Sequence, residues 1–422
     1  MTKPYTYIGT DAPDVLCQFA AEHGLAEFDL LADVNTWEAL GQRTAATLTA
    51  AGNRVRPLIL PGDVIADEDA IMQVLLRADD ARRPMIAVGS GTLTDIARFV
   101  THRGCRPFLS VPTAPSVDAY ASLNSPLVIR RLKETINAQT PLGIFCDLDA
   151  LCAAPPAMIA AGYGDILGKY TCLADWRLGQ LLWEEGVDEQ VWQDMRTALE
   201  HVVPLADAIG RAEPEGIRAL IEALIASGNA MATVGSSRPA SGAEHHVSHF
   251  LEMRLLLEGR PPVLHGAKVG AATVLIAHCY RRLRGISRAE AARRVARDPW
   301  PSAAVQCREI RAGYGPIAEQ VIDSHRAYIE LPAAERVTFY QRIIDRWDDI
   351  QAVAATVPEP EQLARLLTQA GGPTDLSTLG FTEDEVDEAL RLAHYVRDRF
   401  TVRQLELALG LEALHSSGFR LE

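Results

Sequence analysis

The chain has 422 residues, which is too long for one simple hydrophobic core and favours two domains. Its net charge is −14 and no cluster of Lys and Arg stands out, so a nucleic-acid-binding groove is not expected. The amino terminus lacks the apolar segment of a signal peptide, and no apolar run approaches the length of a membrane span. The seven cysteines form no CxxC pair, so we expect reduced thiols in a cytoplasmic, globular protein that does not bind membranes.

Strands alternate with helices before residue 152. Short apolar runs predict strands at 28–33, 56–60, 84–88, 107–111 and 142–147. Helical periodicity predicts helices at 37–51, 67–80 and 94–100. This alternation predicts a parallel sheet covered by helices on both faces. Residues up to about 27 allow no assignment, and the polar stretch before 142 indicates no element.

After Pro155 and Pro156 the pattern changes, and no convincing strand follows. Helical periodicity recurs at 217–226, 268–281, 288–297, 328–347, 361–369 and 383–399. The sequence therefore predicts an α/β domain over 1–152 and an all-helical domain over 153–422.

A glycine-rich turn, Gly89-Ser90-Gly91, joins the third predicted strand to a helix. Glycines there let backbone N–H groups approach a diphosphate, whose charge the helix amino terminus favours. The third glycine of the Rossmann fingerprint is absent, and the turn does not follow the first strand. An ordinary glycine-rich turn is therefore equally consistent with the sequence.

Asp33 ends the first predicted strand, where a carboxylate can accept hydrogen bonds from an adenosine ribose. Such a carboxylate would repel a 2′-phosphate by roughly 4 kcal/mol per unit charge at about 4 Å, which would favour NAD over NADP. An acid that begins the following helix is at least as consistent with this position.

Two prolines, Pro112 and Pro115, stiffen the loop after the fourth predicted strand, and Asp118 lies just beyond them. We expect the loop to expose hydroxyl donors, although a loop capped by Ser116 or Asp118 fits equally well.

Three glycines interrupt the helical stretch 162–169, and each costs about 1 kcal/mol relative to alanine. Asp165 and Lys169 are four residues apart, but a surface ion pair of about 0.3–0.5 kcal/mol is too weak to explain the glycines. We therefore expect a close approach here and a carboxylate held toward a functional site.

The segment 236–253 contains three histidines. Ser241 and Glu244 have the spacing of a capping box, which predicts a helix that begins at Ser241. His245 and His249 then project from one face and form half of a metal site, whereas a solvated polar turn is the alternative. His265 lies twenty residues after His245, at a loop-to-helix junction.

Five motifs together resemble the iron-containing alcohol dehydrogenase superfamily, and within it the sn-glycerol-1-phosphate dehydrogenases. They read VGSGTLTD (88–95), VPTAPSVDAYAS (111–122), GYGDILGKYT (162–171), SRPASGAEHHVSHFLEM (237–253) and HGAKVG (265–270). They occur in the family's order, and the tail segment RDRFT (397–401) is also consistent with it.

The resemblance implies an α/β dinucleotide-binding domain followed by an all-α domain, the dehydroquinate synthase-like arrangement. It implies one divalent metal, zinc or nickel, bound by Asp165, His245 and His265, and catalytic and substrate contacts from Asp118, Asp165 and His249. It implies contacts to NAD or NADP from Asp33, Gly91, Thr92, Leu93, Thr94, Asp95, Thr113, Ala114, Pro115, Ser116 and Ser122. Ala119 departs from the family, which often has glycine after the aspartate.

The activity that the resemblance implies is the reversible reduction of dihydroxyacetone phosphate to sn-glycerol 1-phosphate, a reaction of phospholipid metabolism, by a homodimer. The alternatives are a glycerol or other polyol dehydrogenase, a lyase of the dehydroquinate synthase type, and a protein that senses NAD or a metal. Motif spacing does not identify the group that holds the substrate phosphate; Arg238 and Lys169 are candidates by charge alone.

Overall fold

The computed structural model describes residues 3–78, 82–130 and 132–415. The chain forms two compact units, of which the first contains Met1–Ile166, Thr197–Ser237 and Gln369–Gly372. The second contains Leu167–Arg196, Arg238–Thr368 and Pro373–Glu422. The expected domain boundary at residues 152 and 153 stays a prediction, because compact units need not coincide with independently folding domains.

A six-stranded parallel sheet lies in the first unit, as the alternation of strands and helices predicts. Its strands are β1 (Tyr5–Gly9), β2 (Glu27–Asp33), β3 (Arg54–Leu60), β4 (Met85–Val88), β5 (Phe108–Val111) and β8 (Gly143–Asp147). Their spatial order is β1-β8-β5-β4-β2-β3. The carboxyl ends of parallel strands meet at one edge, so the segments after β2, β4 and β5 leave the sheet side by side.

Both faces of this sheet are buried, which is why its central strands are continuous apolar runs. Leu30 and Leu31 are consecutive in β2, are fully buried and belong to two different core clusters. Helices Ala12–Glu22 and Gln42–Ala50 pack on the face of Leu30, and Glu68–Arg77 and Gly91–Arg103 pack on the face of Leu31. The remaining helical segments before residue 153 are Val34–Thr36, the π-helix Trp37–Gly41 and Leu148–Cys152.

Two strand-containing parts of the first unit have no counterpart among the predicted elements. One is the amino-terminal pair of β1 and the helix Ala12–Glu22. β1 is an edge strand that pairs only with β8 and is half-exposed, so it lacks the apolar run of a buried strand. The other is an antiparallel hairpin of β6 (Asn124–Ile129) and β7 (Leu132–Asn137), whose polar composition hides its strands.

No strand occurs among the described residues after Asp147, as the helical periodicity predicts. The helices from Pro156 onward are Pro156–Leu167, Lys169–Trp183, Glu189–Val202, Ala206–Gly210, Pro214–Val234, Ala243–Glu258, His265–Arg284, Arg288–Val295, Ala303–Tyr314, Ala318–Ser324, Arg326–Ile329, Ala333–Asp345, Trp347–Ala354, Pro360–Gln369, Glu383–Leu392 and Val402–Ala408. The 3-10 turns are Val203–Leu205, Gly315–Ile317, Leu376–Leu379 and Ala393–Tyr395.

Two of the predicted long helices are wrong in extent. The helix expected at 328–347 is interrupted, because Pro332 caps a new helix that begins at Ala333. The helix expected at 383–399 ends at Leu392, and the buried turn Ala393–Tyr395 follows it.

The Pro214–Val234 helix is long and apolar enough, by length and composition alone, to cross a membrane. Glu215, Arg218 and Glu222 interrupt its apolar residues, so it holds no continuous apolar run of that length. Its apolar window has a mean hydropathy of 1.3, and 67% of that window is buried within the protein. The core helix of a globular unit passes the same test of length and composition, and this degree of burial fits one.

Candidate metal and dinucleotide sites

The sheet reverses its direction of growth between β2 and β4. β3 lies on one side of β2, whereas β4, β5 and β8 follow on the other side. In open α/β sheets, ligands bind outside the carboxyl ends of the strands at such a point. Asp33 ends β2 and Gly89 follows β4, so the two motifs expected to contact a dinucleotide leave adjacent strands at this point.

The glycine turn is closely packed. A Cβ atom at Gly89 would lie 2.3 Å from Leu93 Cδ1, and one at Gly91 would lie 3.0 Å from Val117 Cγ2. These glycines therefore serve packing, whether or not a ligand approaches them. Thr94 Oγ1 is buried and has no hydrogen-bond partner in the described part of the chain, which fits a bond to a bound group.

Asp95 and Arg98 hold the loop that follows β5. Arg98 is fully buried, pairs with Asp95 at 2.6 Å and donates to the carbonyl oxygens of Ala119 (2.6 Å) and Asn124 (2.9 Å). Burial raises the pKa of Asp95 to about 7, although Arg98 opposes this shift. Sequence reasoning missed Arg98, because the two carbonyl groups that it holds lie more than 20 residues away in the chain.

Asp33 caps a helical turn. Its Oδ1 accepts the Thr36 N–H at 2.8 Å, and Thr36 Oγ1 accepts the Asp33 N–H at 3.0 Å. The alternative reading of Asp33 as a helix-start acid is therefore correct. A ribose contact from the same carboxylate stays a prediction.

The loop after β5 packs against the Pro156–Leu167 helix. A Cβ atom at Gly162 would lie 1.7 Å from Pro115 O, so only glycine admits this approach, as the glycines in the helix suggested. The expectation of exposed hydroxyl donors is wrong, because Thr113 and Ser116 are buried. Ser122 Oγ accepts the Asn124 N–H at 3.0 Å.

The structure brings Asp118 and Asp165 together within the first unit. The Asp118 N–H donates to Asp165 Oδ2 at 3.1 Å, and both residues are buried. Ser227 Oγ donates to Asp118 Oδ2 at 2.7 Å from the Pro214–Val234 helix. Sequence reasoning missed Ser227, which is 109 residues from Asp118 and lies in an apolar helix without a motif.

Three histidines cluster in the second unit. The ring centroids of His245 and His265 are 5.2 Å apart, those of His249 and His265 are 5.3 Å apart, and those of His245 and His249 are 6.1 Å apart. The helix that carries His245 and His249 begins at Ala243 with Gly242 as its cap, so the predicted start at Ser241 is wrong, and His265 begins the next helix. In the expected capping box, the Glu244 carboxylate would accept the N–H of Ser241. It instead accepts the N–H of the next residue, Gly242, at 2.8 Å.

Glu244 orients His245. Its Oε1 lies 2.7 Å from His245 Nδ1, and its Oε2 accepts the Thr171 hydroxyl at 2.6 Å. Burial alone would raise the pKa of Glu244, but the bonds from His245, Thr171 and Gly242 lower it below its ordinary value. A carboxylate that accepts a hydrogen bond from Nδ1–H leaves the Nε2 lone pair free to bind a metal, so the site fits a divalent cation.

His249, Glu252 and His265 form a further set of side chains that could bind a metal. Ligand atoms of His249, Glu252 and His265 all lie within 4.8 Å of one another. Glu252 Oε2 is 3.3 Å from His249 Nδ1. Sequence reasoning missed Glu252, although its position three residues after His249 places both on one helix face.

Lys169 is fully buried, so the alternative of a surface ion pair is wrong. Its Nζ donates to Ala240 O at 2.9 Å, in the turn before the Ala243–Glu258 helix.

A family model described as iron-containing alcohol dehydrogenase matches residues 7–155. The glycerol-1-phosphate dehydrogenase, NAD(P)+, of Halalkalibacterium halodurans is 36% identical over 399 residues, which are 94% of this chain and 90% of the relative. The enzyme of the same name from Bacillus subtilis is 35% identical and covers 93% of this chain and 88% of its own. The chain belongs to the glycerol-1-phosphate dehydrogenase family.

Solved structures agree with this family at the level of the fold. A probable glycerol dehydrogenase from Sinorhizobium meliloti superposes with a TM-score of 0.60 at 18% identity and covers 96% of both chains. An alcohol dehydrogenase from Oenococcus oeni gives 0.61 at 13% identity and covers 98% of this chain and 99% of its own. The roles of single residues in this member of the glycerol-1-phosphate dehydrogenase family stay predictions, since similarity over the whole chain tests none of them.

Proposed function

We propose that the protein catalyses the reversible reduction of dihydroxyacetone phosphate to sn-glycerol 1-phosphate with NADH or NADPH. The observation that carries this proposal is the similarity, over 94% and 93% of the chain, to two enzymes named for glycerol 1-phosphate. The histidine cluster and the strand-end motifs supply the chemistry that such a reaction needs.

Asp165, His245 and His265 are the ligands that we propose for one divalent cation. Oxygen and nitrogen donors suit zinc and nickel alike, and the Glu244 carboxylate gives His245 the orientation of a ligand. A cation held by these residues would polarise the substrate carbonyl as a Lewis acid.

The dinucleotide is proposed to lie at the carboxyl ends of β2 and β4, with its diphosphate near Gly91 and Thr92. Both residues are partly exposed at the start of the Gly91–Arg103 helix, whose amino end favours negative charge. The nicotinamide supplies the hydride, and the protein supplies position and electrostatics. A carboxylate at Asp33 would favour NAD over NADP by repelling a 2′-phosphate.

His249 is proposed to orient the substrate hydroxyl and to deliver the proton that the carbonyl oxygen needs as hydride reaches C2. It is partly exposed and lies next to Glu252. Asp118 is proposed to bind the substrate, and Ser227 holds one of its carboxylate oxygens in place. Two residues that are each held by a hydrogen bond lose little freedom when the substrate binds.

We further propose a cytoplasmic homodimer, as the family resemblance implies. The seven cysteines are all free, which supports a reducing compartment.

The test follows NADH absorbance in protein that has been stripped with a chelator and reloaded separately with zinc or nickel. Dihydroxyacetone phosphate and dihydroxyacetone are compared as substrates, and NADPH replaces NADH in a parallel series. We expect metal-dependent oxidation with the phosphorylated ketone alone.

Equal activity with both ketones would replace the proposal with a broad polyol dehydrogenase. No oxidation with either metal or either cofactor would contradict a dehydrogenase and leave the lyase of the same fold or the protein that senses NAD or a metal.

A further inference from the structure

Three arginines, Arg238, Arg397 and Arg399, form a cluster in the second unit. Arg238 Nη2 donates to Phe400 O at 2.9 Å, and Arg399 Nη1 donates to Ser241 O at 2.8 Å. These two bonds tie the segment 397–400 to the turn that precedes the histidine helix Ala243–Glu258.

The turn that precedes this segment in the chain also contacts the Ala243–Glu258 helix. The turn Ala393–Tyr395 packs against Ala243–Glu258, and Arg399 reaches back to Ser241 ahead of the helix. Arg397 lies between these anchors in the chain, and its charge acts on His246, which is in the first turn of the helix.

The cluster concentrates positive charge. Burial, and then the charge of Arg399, lower the pKa of Arg238 to about 9. Burial, and then the charge of Arg397, lower the pKa of Arg399 to about 10. Glu185 pairs with Arg238 and also accepts the Phe400 N–H, so this carboxylate holds Arg238 beside the segment 397–400. Arginines that repel one another favour an anion among them.

His246 provides a second and independent observation. Both of its ring nitrogens are buried and have no hydrogen-bond partner in the part of the chain that the structure describes. The charges of Arg399, Arg238 and Arg397 all act on this ring. A buried polar group without a partner in the protein calls for a bound group that supplies one.

The end of the helix is already occupied by protein carboxylates. Glu244 accepts the Gly242 N–H at 2.8 Å, and Asp175 Oδ2 accepts the Ala243 N–H at 2.7 Å. An anion recruited by the cluster would therefore lie beside the helix, toward Arg397 and His246, and not at its amino terminus.

We propose that Arg397 and Arg399, with a hydrogen bond from His246, bind the phosphate group of the substrate. This inference rests on the proposed function and assigns the selectivity for a phosphorylated ketone to the cluster. Two guanidinium groups offer paired N–H donors that match phosphate oxygens. Arg238 then acts as a positioning residue, because its own donors hold Phe400 and Glu185.

The test compares Arg397→Gln and Arg397→Lys with the matched control Arg391→Gln. Arg391 is an exposed arginine that pairs with Glu309. We expect Arg397→Gln to lower kcat/KM for dihydroxyacetone phosphate by about 10–100-fold, the loss of one or two charge-assisted bonds. The change with dihydroxyacetone should be much smaller. Arg397→Lys should recover part of the loss, and Arg391→Gln should change neither value.

Binding of inorganic phosphate, measured by isothermal titration, is a readout that does not depend on turnover. The wild type should bind phosphate more tightly than Arg397→Gln. An equal fall in kcat/KM for both ketones, or phosphate binding that Arg397→Gln leaves unchanged, would overturn the assignment. The wild type could turn over neither ketone and still bind phosphate more tightly than Arg397→Gln does. In that case the proposed reaction fails and the anion site stands.

Discussion

At the scale of single residues, two histidines lie close enough to His265 to bind a metal together with it, His245 and His249. His245 is held by a buried carboxylate whose pKa is lowered by its hydrogen bonds, as metal-binding histidines require. His249 has the longer contact with Glu252, a carboxylate that is itself placed to bind a cation. The orientation of His245 favours it as the ligand and leaves His249 for the substrate.

Replacement of His245 by Ala should therefore abolish metal retention, whereas Glu252→Gln should retain close to one metal per chain. The first change removes a donor, and the second keeps the shape of the side chain but removes its charge. Metal content after dialysis, measured by plasma mass spectrometry, gives the answer without any assay of activity. His201→Ala is the control, because His201 is exposed on another helix. Metal that persists in His245→Ala and is lost in Glu252→Gln would contradict the assignment of His245 as the ligand. It would place the metal at His249, Glu252 and His265 instead.

At the scale of elements, the loop after β5 packs closely against the Pro156–Leu167 helix because the helix has a glycine at the point of contact. Gly162 carries no side chain where Pro115 O approaches, and the loop continues to Asp118. A displaced loop would also move the Asp118 N–H away from Asp165 Oδ2. The packing of these two elements thus positions two of the proposed site residues.

We expect Gly162→Ala to destabilise the protein by about 1–3 kcal/mol through overpacking, although alanine is the better helix former. The KM for the substrate should rise as well, because Asp118 loses its place. Gly104→Ala is the control, since a Cβ atom there meets nothing closer than 3.4 Å. Chemical denaturation and steady-state kinetics measure the two effects. A Gly162→Ala protein as stable as the Gly104→Ala protein would show that the loop can move at no cost.

The same comparison of elements shows what the sequence could predict. Strands buried on both faces, such as β2, are apolar runs, whereas the half-exposed β1 and the polar hairpin β6–β7 are not. Spacing predicted the histidine helix, but the Glu244 bond to Gly242 set its first residue. Partners distant in sequence, such as Ser227 for Asp118, leave no local pattern and become visible only after folding.

At the scale of the whole molecule, several buried titratable groups shape the dependence of stability on pH. Burial lowers the pKa of His246 and of His394 well below the ordinary value, and it lowers the pKa of His278 to about 4. Asp95 and Asp175 act in the opposite sense, because burial raises the pKa of each to about 7. The total profile is a sum of these contributions, so a single variant compared with the wild type isolates one of them.

His278 offers the clearest case, since its neighbour Arg281 adds to the effect of burial. Between pH 6.5 and about 4 the unfolded chain holds a proton on this imidazole that the folded chain does not hold, so the stability it contributes is present above pH 6.5 and is lost as the pH falls. At pH 5 the loss amounts to about 2 kcal/mol. His278→Gln keeps an acceptor for Arg281 but cannot titrate, so urea unfolding at pH 7.5 and pH 5 should show a smaller loss than in the wild type. His201→Gln, at an exposed position, should behave as the wild type does, and an identical loss in His278→Gln would place the acid sensitivity at other groups.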